Sequence, residues 1–198
     1  MDNYHGDYFN QGDTHRPDLT HRLDLIKKNW GDSIGNVLDA GCSGGFYSFG
    51  LCDMVDHIDA VDREQGLIEQ CTNIKEREKI TNIHFVCNDL AEFLLWDKTY
   101  SGCLYMSTHH HVIQAYGWEK ADYVLRLLSA RCSTMFFDMG QKDENASHCK
   151  WWSILPPTPD SEHWVREYLK RVTLYDDIKC IGSSSIHDVN RYLFRCDR

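Results

Sequence analysis

The chain's apolar positions change period after its first thirty residues. Leu19, Leu23, Leu25, Ile26 and Trp30 recur at roughly helical spacing. This predicts a helix over residues 18–30, capped by Asp18 or Thr14 and broken by Gly31 and Asp32. Short apolar runs then alternate with helical stretches. The runs predict strands at 36–40, 57–61, 82–86, 102–106 and 134–138, and the stretches between them predict helices at 45–54, 63–79, 89–96 and 118–130. Such alternation builds βαβ units on a parallel sheet. The end of the chain breaks the rule. A helix over 161–171 is followed by two successive strand signals, 172–181 and 189–195, with Gly182 to Asp188 as a turn, so the last pair is a hairpin. The expected fold is therefore α/β: a Rossmann-like, doubly wound, seven-stranded sheet, mostly parallel with an antiparallel C-terminal hairpin. Residues 1–33 read as a leader arm and its helix, and residues 34–198 as the main domain. The irregular stretch 140–160 is long for a compact domain, as functional loops often are.

Composition narrows the class. A length of 198 residues suits one domain. A formal charge of −9 argues against a nucleic-acid or anionic-membrane partner, since both select for clustered positive charge. The nine cysteines form no CxxC pair, so zinc-ribbon and thioredoxin readings lack their spacing. The start of the chain is polar and acidic, unlike a secretory signal, and no apolar run approaches the ~20 residues of a membrane span. These features read as a reduced, cytoplasmic setting with free thiols. They leave the oligomeric state open.

The first strand runs into Gly41, Cys42, Ser43, Gly44, Gly45 and Phe46, a glycine-rich turn that brings backbone N–H groups close to a ligand. Asp62 ends the second strand, 17 residues after Gly45, near the offset at which a carboxylate reaches a ribose diol, with Arg63 beside it. Together they indicate an adenosine-type ligand. The dinucleotide fingerprint fails, because its second and third glycines would be Ser43 and Phe46. Asp39, two residues before Gly41, would repel phosphate but suits an ammonium or sulfonium charge.

On these residues the chain resembles class I S-adenosylmethionine-dependent methyltransferases. Asp39 to Phe46 looks like their motif I, and Asp62 matches their ribose acid. Asn88, Asp89 and Leu90 resemble the adenine-contacting segment. Cys103 to Ser107 resembles motif IV, beside the transferred methyl group, and the hairpin fits the family's reversed last strand. The resemblance implies S-adenosyl-L-methionine as cofactor and S-adenosyl-L-homocysteine as product. It implies Asp39, Gly41, Cys42, Gly45, Phe46, Asp62, Arg63, Asp89, Leu90 and Ser107 as cofactor residues. A closer likeness, carried by Gly45 to Phe49, Met106, Ser107, His110 and His111, is to the methyltransferase domain of O-antigen chain terminators, which methylate a terminal phosphate on a glycan. The leader, with Tyr8, Phe9, Arg16, Pro17 and Arg22, is similar to that of RNA 5′-phosphate methyltransferases, which implies Arg16, then Tyr8, at the cofactor's carboxylate.

Methyl transfer needs a base only where the acceptor holds its proton tightly. His110, then His111, is the candidate, since an imidazole titrates near neutrality. Adjacent histidines do not converge on one metal, so no metal is expected. Asp138, His148, Lys150, Trp151 and Trp152, at and after the fifth strand, are the candidate acceptor residues: tryptophans to stack on a sugar or aromatic ring, Lys150 for a phosphate. The expected activity is methyl transfer to a small-molecule or glycan-linked acceptor. The alternatives are an RNA or tRNA methyltransferase and a non-catalytic cofactor-binding module.

Overall fold

A computed structural model describes residues 17–31, 35–142, 144, 153–186 and 189–198. Helix α1 (Pro17–Asn29) precedes strand β1 (Asn36–Ala40). Helix α2 (Phe46–Leu51) and a 3₁₀ turn lead to β2 (His57–Asp62), and α3 (Gln65–Arg77) leads to β3 (Ile83–Cys87). The short α4 (Leu90–Phe93) precedes β4 (Tyr100–Tyr105), and α5 (His109–Arg131) precedes β5 (Cys132–Phe137). Helix α6 (Ser161–Val172) is followed by β6 (Asp177–Ile186) and β7 (Val189–Asp197).

The strands form one seven-stranded sheet in the order β3-β2-β1-β4-β5-β7-β6. It is parallel as far as β5, and β7 runs antiparallel to both its neighbours. The inner strands are near-continuous apolar runs because helices cover both faces. One core holds Leu23 and Ile26 of α1, and Trp30 just after it, against Ile58, Leu104, Phe136 and Leu193. The other packs Ile113, Val124, Leu125 and Leu128 of α5 and Leu169 of α6 against Leu38, Tyr105, Phe137 and Phe194. Helix α1 is thus built into the sheet's own packing. Gly102 makes room for it: a Cβ there would lie 2.8 Å from Trp30 Cζ2.

Two boundaries depart most from the sequence reading. Helix α5 starts at His109, not Trp118, because Thr108 O receives the N–H groups of His111 and Val112 and opens a helical turn. Gly117 then leaves helical geometry (φ 82°, ψ 172°), so the regular apolar period resumes only after it. The hairpin is also tighter than expected. Val172 closes α6, and β6 runs on through Gly182 to Ile186 after a register shift at Cys180/Gly182. Its Gly-Ser-Ser-Ser segment resembles a turn in sequence but pairs with β7 residue for residue.

Strand order reverses between β1 and β4. In such sheets the crevice outside the strand ends at that switch point receives the ligand.

Candidate active site

At that crevice lies a cleft of about 460 Å³. The glycine loop forms its floor. The N–H groups of Gly41 and Cys42 bond to Val61 O at 2.8 and 3.0 Å, tying the loop to the end of β2. Ser43 takes a positive φ of 49° and donates its N–H to Asp62 Oδ2 at 2.8 Å. Asp62 Oδ1 accepts from Glu64 N–H at 3.0 Å. Each carboxylate oxygen is thereby aimed by one backbone donor and keeps a lone pair for a ligand. Gly41 (φ 82°) cannot be replaced cheaply, because a Cβ would lie 2.4 Å from Thr108 Oγ1.

Of the sequence-predicted residues, Gly41, Cys42, Phe46, Asp62, Arg63, Asp89, Leu90, Ser107 and His111 line the cleft. Asp89 also caps α4, accepting from Ala91 and Glu92 N–H. Arg63 Nη1 donates to Tyr116 Oη at 3.3 Å across the mouth. Others stand behind the wall. Gly45 supports the loop from beneath, facing Phe49 and Cys71. Asp39 does not reach the cleft. It is buried and accepts a 2.6 Å hydrogen bond from the Ser48 hydroxyl. Burial, with the neighbouring Asp62 charge, pushes its carboxyl up to about 7. Tyr8, Arg16, His148, Lys150, Trp151 and Trp152 lie outside the described residues.

The histidine run divides by depth. His109 is buried: its Nε2–H donates to Tyr168 Oη at 2.8 Å, and Tyr168 donates on to Asp122 at 2.6 Å. Burial brings His109 down to about 3, so it stays neutral. His110 is also buried, and its Nδ1 accepts the Gly140 N–H at 2.9 Å. That bond commits the Nδ1 lone pair, and burial, then Arg191, holds the ring well below its ordinary pKa. His110 therefore anchors the segment after β5 and does not line the cleft. His111 does. The protein around its ring, with Arg191 and Arg63, lowers its pKa too.

Asp138 also differs from its expected place. It is 0% exposed, beneath Ser107 rather than on the cleft wall. Its carboxylate accepts from Ser107 N–H and from Arg22 Nη1. Ser107, at a positive φ of 52°, presents Oγ to Arg22 Nη1 at 3.0 Å and Arg191 Nη1 at 2.8 Å. Arg191 is held by Glu144 through Nε and Nη2 at 3.0 and 2.6 Å. Sequence reasoning missed Arg191 and Glu144, and it noted Arg22 only as part of the leader. Only Arg22 left a signal: it falls on the α1 face that carries Leu19, Leu23 and Ile26. Tyr47, which also lines the cleft, was missed too, and no spacing marked it.

Residues 37–129 match the family model for a methyltransferase domain. The bifunctional O-antigen chain terminator methyltransferase/kinase WbdD of Escherichia coli is 24% identical over 184 residues, covering 89% of this chain and 24% of that protein. The chain has the fold of S-adenosylmethionine-dependent methyltransferases. A WbdD crystal structure superposes with a TM-score of 0.74 at 19% identity, over 100% of this chain and 45% of the other. The magnesium protoporphyrin IX methyltransferase of Synechocystis PCC 6803, solved with bound S-adenosylmethionine, superposes at 0.67 and 16% identity, over 97% and 88% of the two chains. This chain thus spans about a quarter of its curated relative's length.

The cleft residues fit S-adenosylmethionine, the molecule bound in the Synechocystis structure. Asp62 offers two aimed acceptors for a diol. Leu90 and Val112 offer apolar walls for a base, and the cavity is large enough for a nucleoside. Among the described residues, no cluster of His, Cys, Asp or Glu is arranged to hold a metal ion. No described helix is long and apolar enough to cross a membrane.

Proposed function

We propose that this methyltransferase moves a methyl group from S-adenosylmethionine to a small-molecule or glycan-linked acceptor. The single observation that carries the reading is continuity: one cleft is lined by Asp62, Asp89, Ser107 and His111 together. The chain's similarity to WbdD, by name an O-antigen chain terminator, supports the acceptor class. When bound, the donor supplies a carbon already activated by a sulfonium, so the chain's own work is positioning and exclusion of water. Asp62 holds the ribose diol, and Asp89 with Leu90 frames the adenine. Ser107 is fixed by Asp138, Arg22 and Arg191, and His111 meets the acceptor. Asp39 contributes from behind the loop through Ser48.

The role first given to His110 passes to His111, which lines the cleft and whose lowered pKa keeps it neutral near pH 7. A neutral imidazole accepts a proton from a hydroxyl or hydrogen-bonds an acid acceptor. The expected rate is flat at neutral pH and falls as pH drops through a midpoint below 6.5, and His111→Gln removes that limb. An unchanged limb in the variant assigns the proton elsewhere.

Labelled-methyl transfer to glycan-terminal phosphates and to a small-molecule panel tests the activity. Transfer to none, from a protein that binds the cofactor tightly, rejects it. Asp62→Ala should weaken cofactor affinity by about a hundredfold, two charge-assisted hydrogen bonds being lost. Unaltered affinity in calorimetry removes Asp62 from the ribose.

A further inference from the structure

The cleft wall that follows β4 is built in two parts. Its root is fixed. His109 bonds to Tyr168 Oη at 2.8 Å, His110 accepts the Gly140 N–H at 2.9 Å, and Ile113 is buried in the core. The next turn is set differently: Gln114, Ala115, Tyr116 and Gly117 are all exposed. Packing resumes at Trp118, whose ring lies 6.2 Å from that of Trp164 and 5.6 Å from that of Tyr168. An exposed turn is thus strung between two packed residues. A stretch with few buried contacts opens at low free-energy cost.

Gly117 gives that turn a pivot. Its φ of 82° and ψ of 172° lie outside helical geometry, in a region essentially reserved for glycine. Nothing lies within 4 Å of where its Cβ would stand, so it is the backbone conformation, not packing, that requires a glycine. A glycine with open space around it also changes φ and ψ without repacking its surroundings, as hinge residues do.

Tyr116, directly before the pivot, links the turn to the opposite wall. Both Tyr116 and Arg63 line the cleft, and Arg63 Nη1 donates to the phenol oxygen at 3.3 Å. Arg63 follows β2 and Tyr116 follows β4, while the strand order puts β1 between them. Their bond therefore crosses over the end of β1 and its glycine loop.

We propose that Tyr116 is the gate residue of this cleft: the 114–117 turn swings about Gly117 to admit the donor, and the Arg63–Tyr116 bond then closes over it. The inference rests on the cofactor reading above. Such a latch joins protein to protein and leaves the ligand untouched, so it slows entry and exit alike. Closed, it retains the donor and helps exclude water from it.

Tyr116→Phe keeps the ring and removes the latch. Stopped-flow mixing with S-adenosylhomocysteine, read by tryptophan fluorescence, measures entry and exit separately. Both rate constants should rise about fivefold, the population change that one exposed hydrogen bond carries, while Kd stays within about twofold. Gly117→Ala penalises the closed geometry without touching the bond and should also speed both steps. In an Arg63→Met background, Tyr116→Phe should add no further acceleration, because the latch is already gone. Unchanged rates in Tyr116→Phe or Gly117→Ala overturn the proposal and leave the bridge a surface contact. Faster exit with unaltered entry in Tyr116→Phe overturns it too, by making Tyr116 a direct ligand contact. Full acceleration in the Arg63→Met background overturns it by removing Arg63 from the latch. A parent protein that does not bind the probe defeats the cofactor reading and the gate together, whereas the other failures leave that reading standing.

Discussion

Asp39 is a carboxyl group sealed behind the glycine loop, with the Ser48 hydroxyl as its hydrogen-bond donor. Burial is the main reason its pKa rises to about 7, and Asp62 adds like-charge repulsion. The sign for stability follows from linkage. In the unfolded chain the group ionises near 3.8, while in the folded protein it holds its proton to about 7. Between those values the unfolded state is the one that has released its proton, so this group's contribution favours unfolding more as pH rises. The loss is complete above pH 7 and amounts to roughly 4 kcal/mol for such a shift. Asp39→Asn cannot ionise. Urea unfolding of parent and variant from pH 4.5 to 8 should show the parent losing ground to the variant up to about 7 and a constant difference beyond. A difference independent of pH would mean that Asp39 titrates alike in both states.

At the scale of elements, the α/β sheet was legible because its inner strands are buried on two faces and read as short apolar blocks. Helix α1 was legible as a helix but not as part of the core. Its packing depends on Gly102 and on Phe136, whose ring lies 4.9 Å from that of Trp30, and these positions are far apart in sequence. Trp30→Ala should therefore cost about 3–5 kcal/mol of unfolding free energy, the range for a large buried aromatic ring. A cost below about 1 kcal/mol, the scale of surface changes, would show α1 to be an appendage. The start of α5 was hidden for a different reason. Three successive histidines carry no apolar signal, and the buried two are accommodated by Tyr168 and Gly140, which no local pattern reveals. The site divides in the same way. The glycine loop and Asp62 form a local motif and were readable. The two arginines meeting at Ser107 come from 85 and 84 residues away and were not.

At the scale of the whole molecule, those long-range bonds make the site a product of the entire chain. Arg22 on α1, Ser107 after β4, Asp138 after β5, Glu144 in the next loop and Arg191 on β7 share one buried network. The first helix and the last strand are thus joined beneath Ser107 on the cleft wall. Buried ion pairs gain little over apolar packing but are expensive to break on one side, since the remaining charge stays buried. Arg191→Ala strands Glu144, whose side chain is 0% exposed, and should lower unfolding free energy by about 3–5 kcal/mol. Adding Glu144→Gln neutralises the stranded charge and should recover about half or more of that loss, since the two residues act as one unit. In urea titrations the single variant should unfold in one transition shifted to lower denaturant, with the double variant between it and the parent protein. Simple addition of the two costs would mean that the pair is not the joint between the hairpin and the site. In that case Ser107 would owe its position to Arg22 and Asp138 alone.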